Sequence, residues 1–287
     1  MKTSTRLWLD TAFYIVVFLL LQLGTMVVLM LVYPDFSANA EALALSSAVS
    51  SLLTIVLFAA LRWSPFSRAY VRSRPWAVLA WVCVLAIGTI IPSEWLLELL
   101  DVDLGETEKN LFRQLFSTPW GYVAVGLLVP LAEEMVFRGA LLRVLLILGI
   151  RWTASRAVGS QSQLALRAVG KQAIGVWGPI VLSALVFGLV HGNLAQGIHA
   201  FLIGLLLGWL YWRTDSIVPG VVFHWVNNSI SYAQMRLFPW TEDVTLVELC
   251  GGSRMLVWLY LLFSLMLFLP ALYQLHLRLR RPSILND

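Results

Sequence analysis

Charge is what this chain has least of. Only 13% of its 287 residues are Asp, Glu, Lys or Arg, while 59% are hydrophobic. Soluble domains are about a quarter charged, so composition excludes a water-exposed globule. No polar stretch is long enough for a separate soluble domain. Cysteine is scarce too. Cys83 and Cys250 stand far apart, in no metal-type spacing, which argues against a disulfide framework or a cysteine zinc site. The H-E-x-x-H pattern of zinc proteases is missing. Internal repeats are missing as well. No small-residue cleavage site follows the first apolar run, which therefore reads as a retained span rather than a signal peptide.

What the chain does have is long apolar runs. Eight of them approach the roughly 20 residues that cross a bilayer as a helix. They cover about 8–33, 42–62, 76–98, 120–142, 177–192, 195–212, 217–235 and 255–276. The expected fold is all-α, a polytopic membrane protein forming a single integral membrane domain over 1–287. Within it, helices in 1–119 and 236–287 flank a core over 121–235. Basic residues set the orientation. Fifteen of the twenty Lys and Arg fall at the termini or in the even-numbered loops, and Arg138 lies within a span. Both termini are thus expected on the cytoplasmic side of the cell membrane. The net charge of +4 is loop charge and no sign of nucleic-acid binding. The basic loop at about 151–175 reads equally as an interfacial helix or a solvated segment. Trp8, Trp63, Trp76, Trp120, Trp177 and Trp258 sit at span ends, as interfacial anchors do. Gly204 and Gly208 suggest a close helix contact in the sixth span.

Against this background Leu131-Ala132-Glu133-Glu134-Met135-Val136-Phe137-Arg138 stands out. Charges at bilayer depth cost several kcal/mol and mark function. Glu134 and Arg138 are four apart on a helix and can pair. Glu133 is rotated by about 100° and is left over. A leftover buried carboxylate can serve as a general base. Two later spans carry polar groups at the same four-residue spacing: Phe187 with His191, and His224 with Asn228. Two other histidines read as packing residues: His199 has no polar partner at helical spacing, and His276 lies at a helix end among arginines. The sequon Asn227-Asn228-Ser229 lies inside an apolar helix and is discounted.

Together Glu133, His191, His224 and Asn228 could activate one water and hold an oxyanion, with no Ser or Cys nucleophile. Another reading makes Glu133, His191 and His224 ligands to Zn²⁺, with the metal activating the water. Asn228, a poor zinc ligand and a good donor, tilts the choice toward the metal-free version, which requires no cofactor.

E-E-x-x-x-R, F-x-x-x-H and H-x-x-x-N follow in that order on successive apolar helices, with Tyr211-Trp212-Arg213-Thr214-Asp215-Ser216-Ile217 turning into the last. The trio resembles the CAAX-protease and bacteriocin-processing (CPBP, or ABI) family of intramembrane endopeptidases. The resemblance covers about residues 121–235. It implies that Glu133 and His191 activate water and that His224 and Asn228 stabilise the oxyanion. It gives Glu134 and Arg138 a structural or substrate-orienting role, and it leaves the metal question open. The implied partner is a membrane-embedded or lipid-anchored peptide or protein within the bilayer. Two rival functions stand beside the protease reading: a non-enzymatic membrane immunity or chaperone-like peptide binder of the same fold, and a proton-coupled transporter using the same buried acids. The transporter is disfavoured because matching halves with broken helices are missing.

Overall fold

In lipid the backbone of an apolar run satisfies its own polar groups best as a helix. The computed structural model describes residues 4–65, 67–158 and 174–279, and these form helices and turns only. The chain opens with α1 (Ser4–Val32), α2 (Ala40–Ala60), the short α3 (Arg68–Arg72) and α4 (Trp76–Leu99). Next come α5 (Glu106–Ser117) and α6, an unbroken helical segment over residues 119–158. Then follow α7 (Ile174–Leu189), α8 (Leu194–Thr214), α9 (Val218–Leu237), the short α10 (Leu246–Leu249) and α11 (Arg254–Arg278). Each expected span coincides with a helix, and the protein is an all-α polytopic membrane protein. The loop after the fourth span is helical as far as Val158; the rest of it, 159–173, lies outside the described residues.

Five helices are long and apolar enough to cross a membrane by length and composition: α1, α2, α4, α8 and α11. The three spans that fall short, α6, α7 and α9, are those tied to the unusual polar groups. The outermost helices are α1 and α11, with only 6% and 22% of their most apolar stretches buried. They present leucine, valine and aromatic side chains outward, as a lipid-facing surface does. At the centre lies α6, packed against α1, α2, α7, α8 and α9. All eight residues from Met135 to Leu142 are buried, so α6 is enclosed on every side there.

Two parts of α6 are π-helical, Tyr122–Leu128 and Met135–Leu142, with an α-helical Val129–Glu134 between them. π turns are uncommon and tend to occur at functional sites. Pro130 adds to the irregularity. It has no N–H, so a carbonyl one turn earlier loses its backbone donor. Side chains from other helices supply donors to this region, as the site below shows.

The α7–α8 pair crosses closely, as the glycines suggested. A Cβ on Gly204 would meet Ala184 Cβ at 3.0 Å, and one on Gly208 would meet Ile180 at 2.9 Å. Trp8, Trp76, Trp120, Trp177 and Trp258 are exposed, consistent with anchors. Trp63 is not such an anchor. Its ring packs into a cluster with Phe13, Tyr14 and Phe58, because the chain turns back at Arg62, whose φ is +56°.

The acidic face carries a charge clasp. The buried Lys109 ammonium lies 2.9 Å from both Asp103 and Asp243, and Arg113 reaches Glu242 at 2.7 Å. These contacts tie α5 to the segment between α9 and α10. The hydrogen bond from Lys109 lowers the pKa of Asp243, and the bonds from Asp243 and Asp103 raise that of Lys109. Asp243 binds its proton less tightly folded than unfolded. Its contribution is therefore present above the ordinary carboxylate range and lost as pH falls through its depressed range. Thermal unfolding measured against pH should show the protein losing stability on acidification, and Asp243→Asn should flatten that dependence.

Candidate active site

The site grows from the middle of α6. Glu134 and Arg138 are both wholly buried, with Nη1 and Oε1 2.9 Å apart. The spacing that predicted this pair survives the change from α to π geometry just after Glu134. The surroundings are shaped to admit it. Arg138 stacks on the Phe187 ring, 4.3 Å from its centroid. Gly220 of α9 lies against Glu134, and a Cβ there would come within 2.3 Å of Oε2. Only glycine lets α9 approach this closely.

Glu133, on the neighbouring face, is also buried, its side chain 11% exposed. It faces His224 of α9, with Oε2 3.7 Å from Nε2. The other His224 nitrogen, Nδ1, lies 3.8 Å from Glu134 Oε1. One imidazole thus bridges two adjacent carboxylates at distances just beyond direct hydrogen bonding. Helical spacing within α9 had paired His224 only with Asn228.

Phe187 is the hub. Its ring centroid is 4.9 Å from that of Phe137, 5.1 Å from His191 and 5.9 Å from His224, the two histidines meeting it edge-on. His191 sits in the turn after α7, half-buried, beside Gly192 with φ +73°. Its Nδ1 is 2.7 Å from the Phe187 carbonyl oxygen. A carbonyl can only accept, so Nδ1 carries the hydrogen. In the neutral ring Nε2 then holds a lone pair free for water. Asn193 next caps α8, its side chain accepting from Gln196 N.

α9 is fastened to the irregular part of α6 by three polar contacts. Asn228 Nδ2 donates to Val125 O at 2.9 Å, Trp225 Nε1 donates to Leu127 O at 2.8 Å, and Tyr122 Oη meets Ser229 Oγ at 2.9 Å. Ser183 of α7 donates to Phe137 O at 3.0 Å from the other side. The bonds from Asn228, Trp225 and Ser183 serve carbonyls of the π-helical stretches, and those from α9 fix how it lies against α6. Asn228 uses one amide hydrogen in this way and keeps a second.

Glu133 and Glu134 thus face His224, Arg138 stacks on Phe187, His191 packs edge-on against the Phe187 ring, and Asn228 is bonded instead to the backbone of α6 at Val125. Trp225, Gly220 and Ser183 escaped the sequence reading, because nothing in their local pattern points to α6. His199 does have a polar partner: Nδ1 lies 2.7 Å from Ser93 Oγ of α4. It remains a hydrogen-bonded packing residue, held from another helix rather than its own. Among the described residues no three His, Cys, Asp or Glu side chains are grouped to hold a metal ion. Glu133, His191 and His224 as they stand do not make a zinc ligand set.

Residues 115–230, which contain every one of these groups, match the family model of the type II CAAX prenyl endopeptidases, Rce1-like. Over that span, about two fifths of the chain, the sequence is similar to the Rce1-like CAAX-protease family. No curated protein and no solved structure matches it. The likeness supports, in general terms, a CAAX-protease-like intramembrane endopeptidase, here within a multi-pass membrane protein.

Proposed function

We propose that the protein hydrolyses a peptide bond in a membrane-associated substrate, using a water activated by Glu133 and His191. Support comes chiefly from Glu133 facing His224 across the α6–α9 contact in a nearly dry core. Glu133 takes a proton from the water, and His191 Nε2 accepts the second water hydrogen and fixes its orientation. The hydroxide attacks the scissile carbonyl carbon. The new oxyanion receives N–H donors from His224 and from the second amide hydrogen of Asn228. On collapse the C–N bond breaks, and the proton held by Glu133 passes to the departing amine. No Ser or Cys is consumed, and no metal enters the scheme. Glu134 and Arg138 neutralise one another, and Glu134 places a carboxylate opposite the second nitrogen of His224.

The family description makes peptides with a prenylated C-terminal cysteine the first substrates to assay, with unprenylated versions alongside. With the protein in liposomes, Asn228→Ala should lower kcat by about 10²–10³-fold with little change in KM, as loss of an oxyanion donor does. Cleavage in ¹⁸O-water should place one label in the new carboxylate. Unchanged turnover in Asn228→Ala and His224→Ala alike would remove both residues from the reaction. Function that survives loss of both Glu133 and His191 would favour a peptide-binding protein without catalysis.

A further inference from the structure

Beside the catalytic groups, and not used by them, runs a groove of about 410 Å³ between α3, α6 and the first half of α9. Its walls include Val71, Leu131, Val218, Val221, Val222 and Trp225, and Arg68 and Arg72 line it from α3. Leu131 and Trp225 stand on the same helices as Glu133 and His224 but on other faces, so the groove is separate from the acids and the imidazole. The two arginines are exposed, one helical turn apart, on the side of the molecule where the basic loops gather. No described residue forms an ion pair or hydrogen bond with either guanidinium. An apolar trough in the size range of ligand pockets, bordered by two unpaired cations, suits a molecule with an apolar chain and an anionic head.

We propose that this groove binds an anionic phospholipid. One acyl chain lies along Val71, Val222 and Trp225, and the phosphate sits on Arg68 and Arg72. Guanidinium groups suit phosphate because their planar donors can engage two oxygens at once. Its polar lining residues, Ser67, Arg68 and Arg72, all come from α3 or its N-cap, so a polar head is held at that end alone. The occupant is therefore anchored at the arginines, with its chain laid along the trough.

The test uses the full chain in phosphatidylcholine vesicles doped with a photoactivatable phosphatidylglycerol carrying its reactive group on the acyl chain. Crosslinks are mapped by mass spectrometry. The expected result is labelling of the peptides containing Val71 and Val222 or Trp225, with little labelling by the matching phosphatidylcholine probe. Arg68→Gln/Arg72→Gln should weaken capture by about 30-fold at low ionic strength, taking about 1 kcal/mol per basic residue. Arg62→Gln/Arg74→Gln removes two exposed arginines outside the groove and should leave that labelling in place. Val71→Trp, at an exposed position on α3, should block labelling at Trp225 while keeping both arginines. Three outcomes would overturn the proposal: equal labelling by the zwitterionic probe, equal loss in the Arg62/Arg74 variant, or groove labelling only by a prenylated peptide. The first two point to diffuse attraction to the basic surface, and the third to a substrate channel. All readouts are of lipid capture, so they stand apart from whether the protein cleaves peptides.

Discussion

Glu133→Gln should lower the rate of cleavage by about 10²–10⁴-fold, the range for loss of a positioned general base. The substitution keeps the length and shape of the side chain. The amide can still face His224 Nε2, now 3.7 Å from the carboxylate. It cannot take a proton from water. The loss should therefore fall on kcat, with KM and thermal stability close to wild type. Glu133→Asp keeps the base but withdraws it by one methylene, and should recover only part of the rate. If Glu133→Gln cleaved at the wild-type rate, with ¹⁸O incorporated as before, the base would have to be sought elsewhere. If it failed to cleave only because it failed to fold, the melting curve would show it.

The second large effect concerns stability. Arg138→Met should destabilise the protein by about 3–5 kcal/mol, because it strands the Glu134 carboxylate in a site with no water contact. Glu134→Met should cost a similar amount by stranding the guanidinium. The double variant should cost far less than the sum, since apolar residues of similar volume often replace a buried pair without loss. Unfolding of the four proteins in one detergent measures the coupling. A coupling below about 1 kcal/mol, the level of an exposed pair, would contradict the complete burial of both groups. Gly220→Ala should perturb the same pair sterically, because the added carbon would press on Glu134 Oε2.

The two predictions separate roles that adjacent letters in the sequence conceal. Glu133 and Glu134 differ in what their helix faces meet, and that difference was readable from the spacing to Arg138. The helical spans were readable as well, because bilayer thickness imposes a length on apolar runs. Convergence of the three motif helices followed from each carrying a polar group where lipid favours carbon. The detailed contacts were not readable. The π-helical stretches of α6 depend on what surrounds it, and no local pattern in Tyr122–Leu128 announces them. His224 bridging two carboxylates requires α9 to lie against α6, a contact that depends on Gly220. The partner of His199 is 106 residues away in the chain, so helical periodicity could not reveal it. The groove was invisible for the same reason, since its walls come from three separated segments.

The widened turns of α6 also bear on how the protein's core could change length. A π turn holds roughly one residue more than an α turn. Dropping a residue within Tyr122–Leu128 would let the backbone tighten to ordinary helix while both acids kept their bearing. The same loss within Val129–Ala132 offers no slack and would swing Glu133 and Glu134 about 100° around the axis. Indels in this lineage should therefore accumulate in the loose coils on either side and spare the taut segment between them.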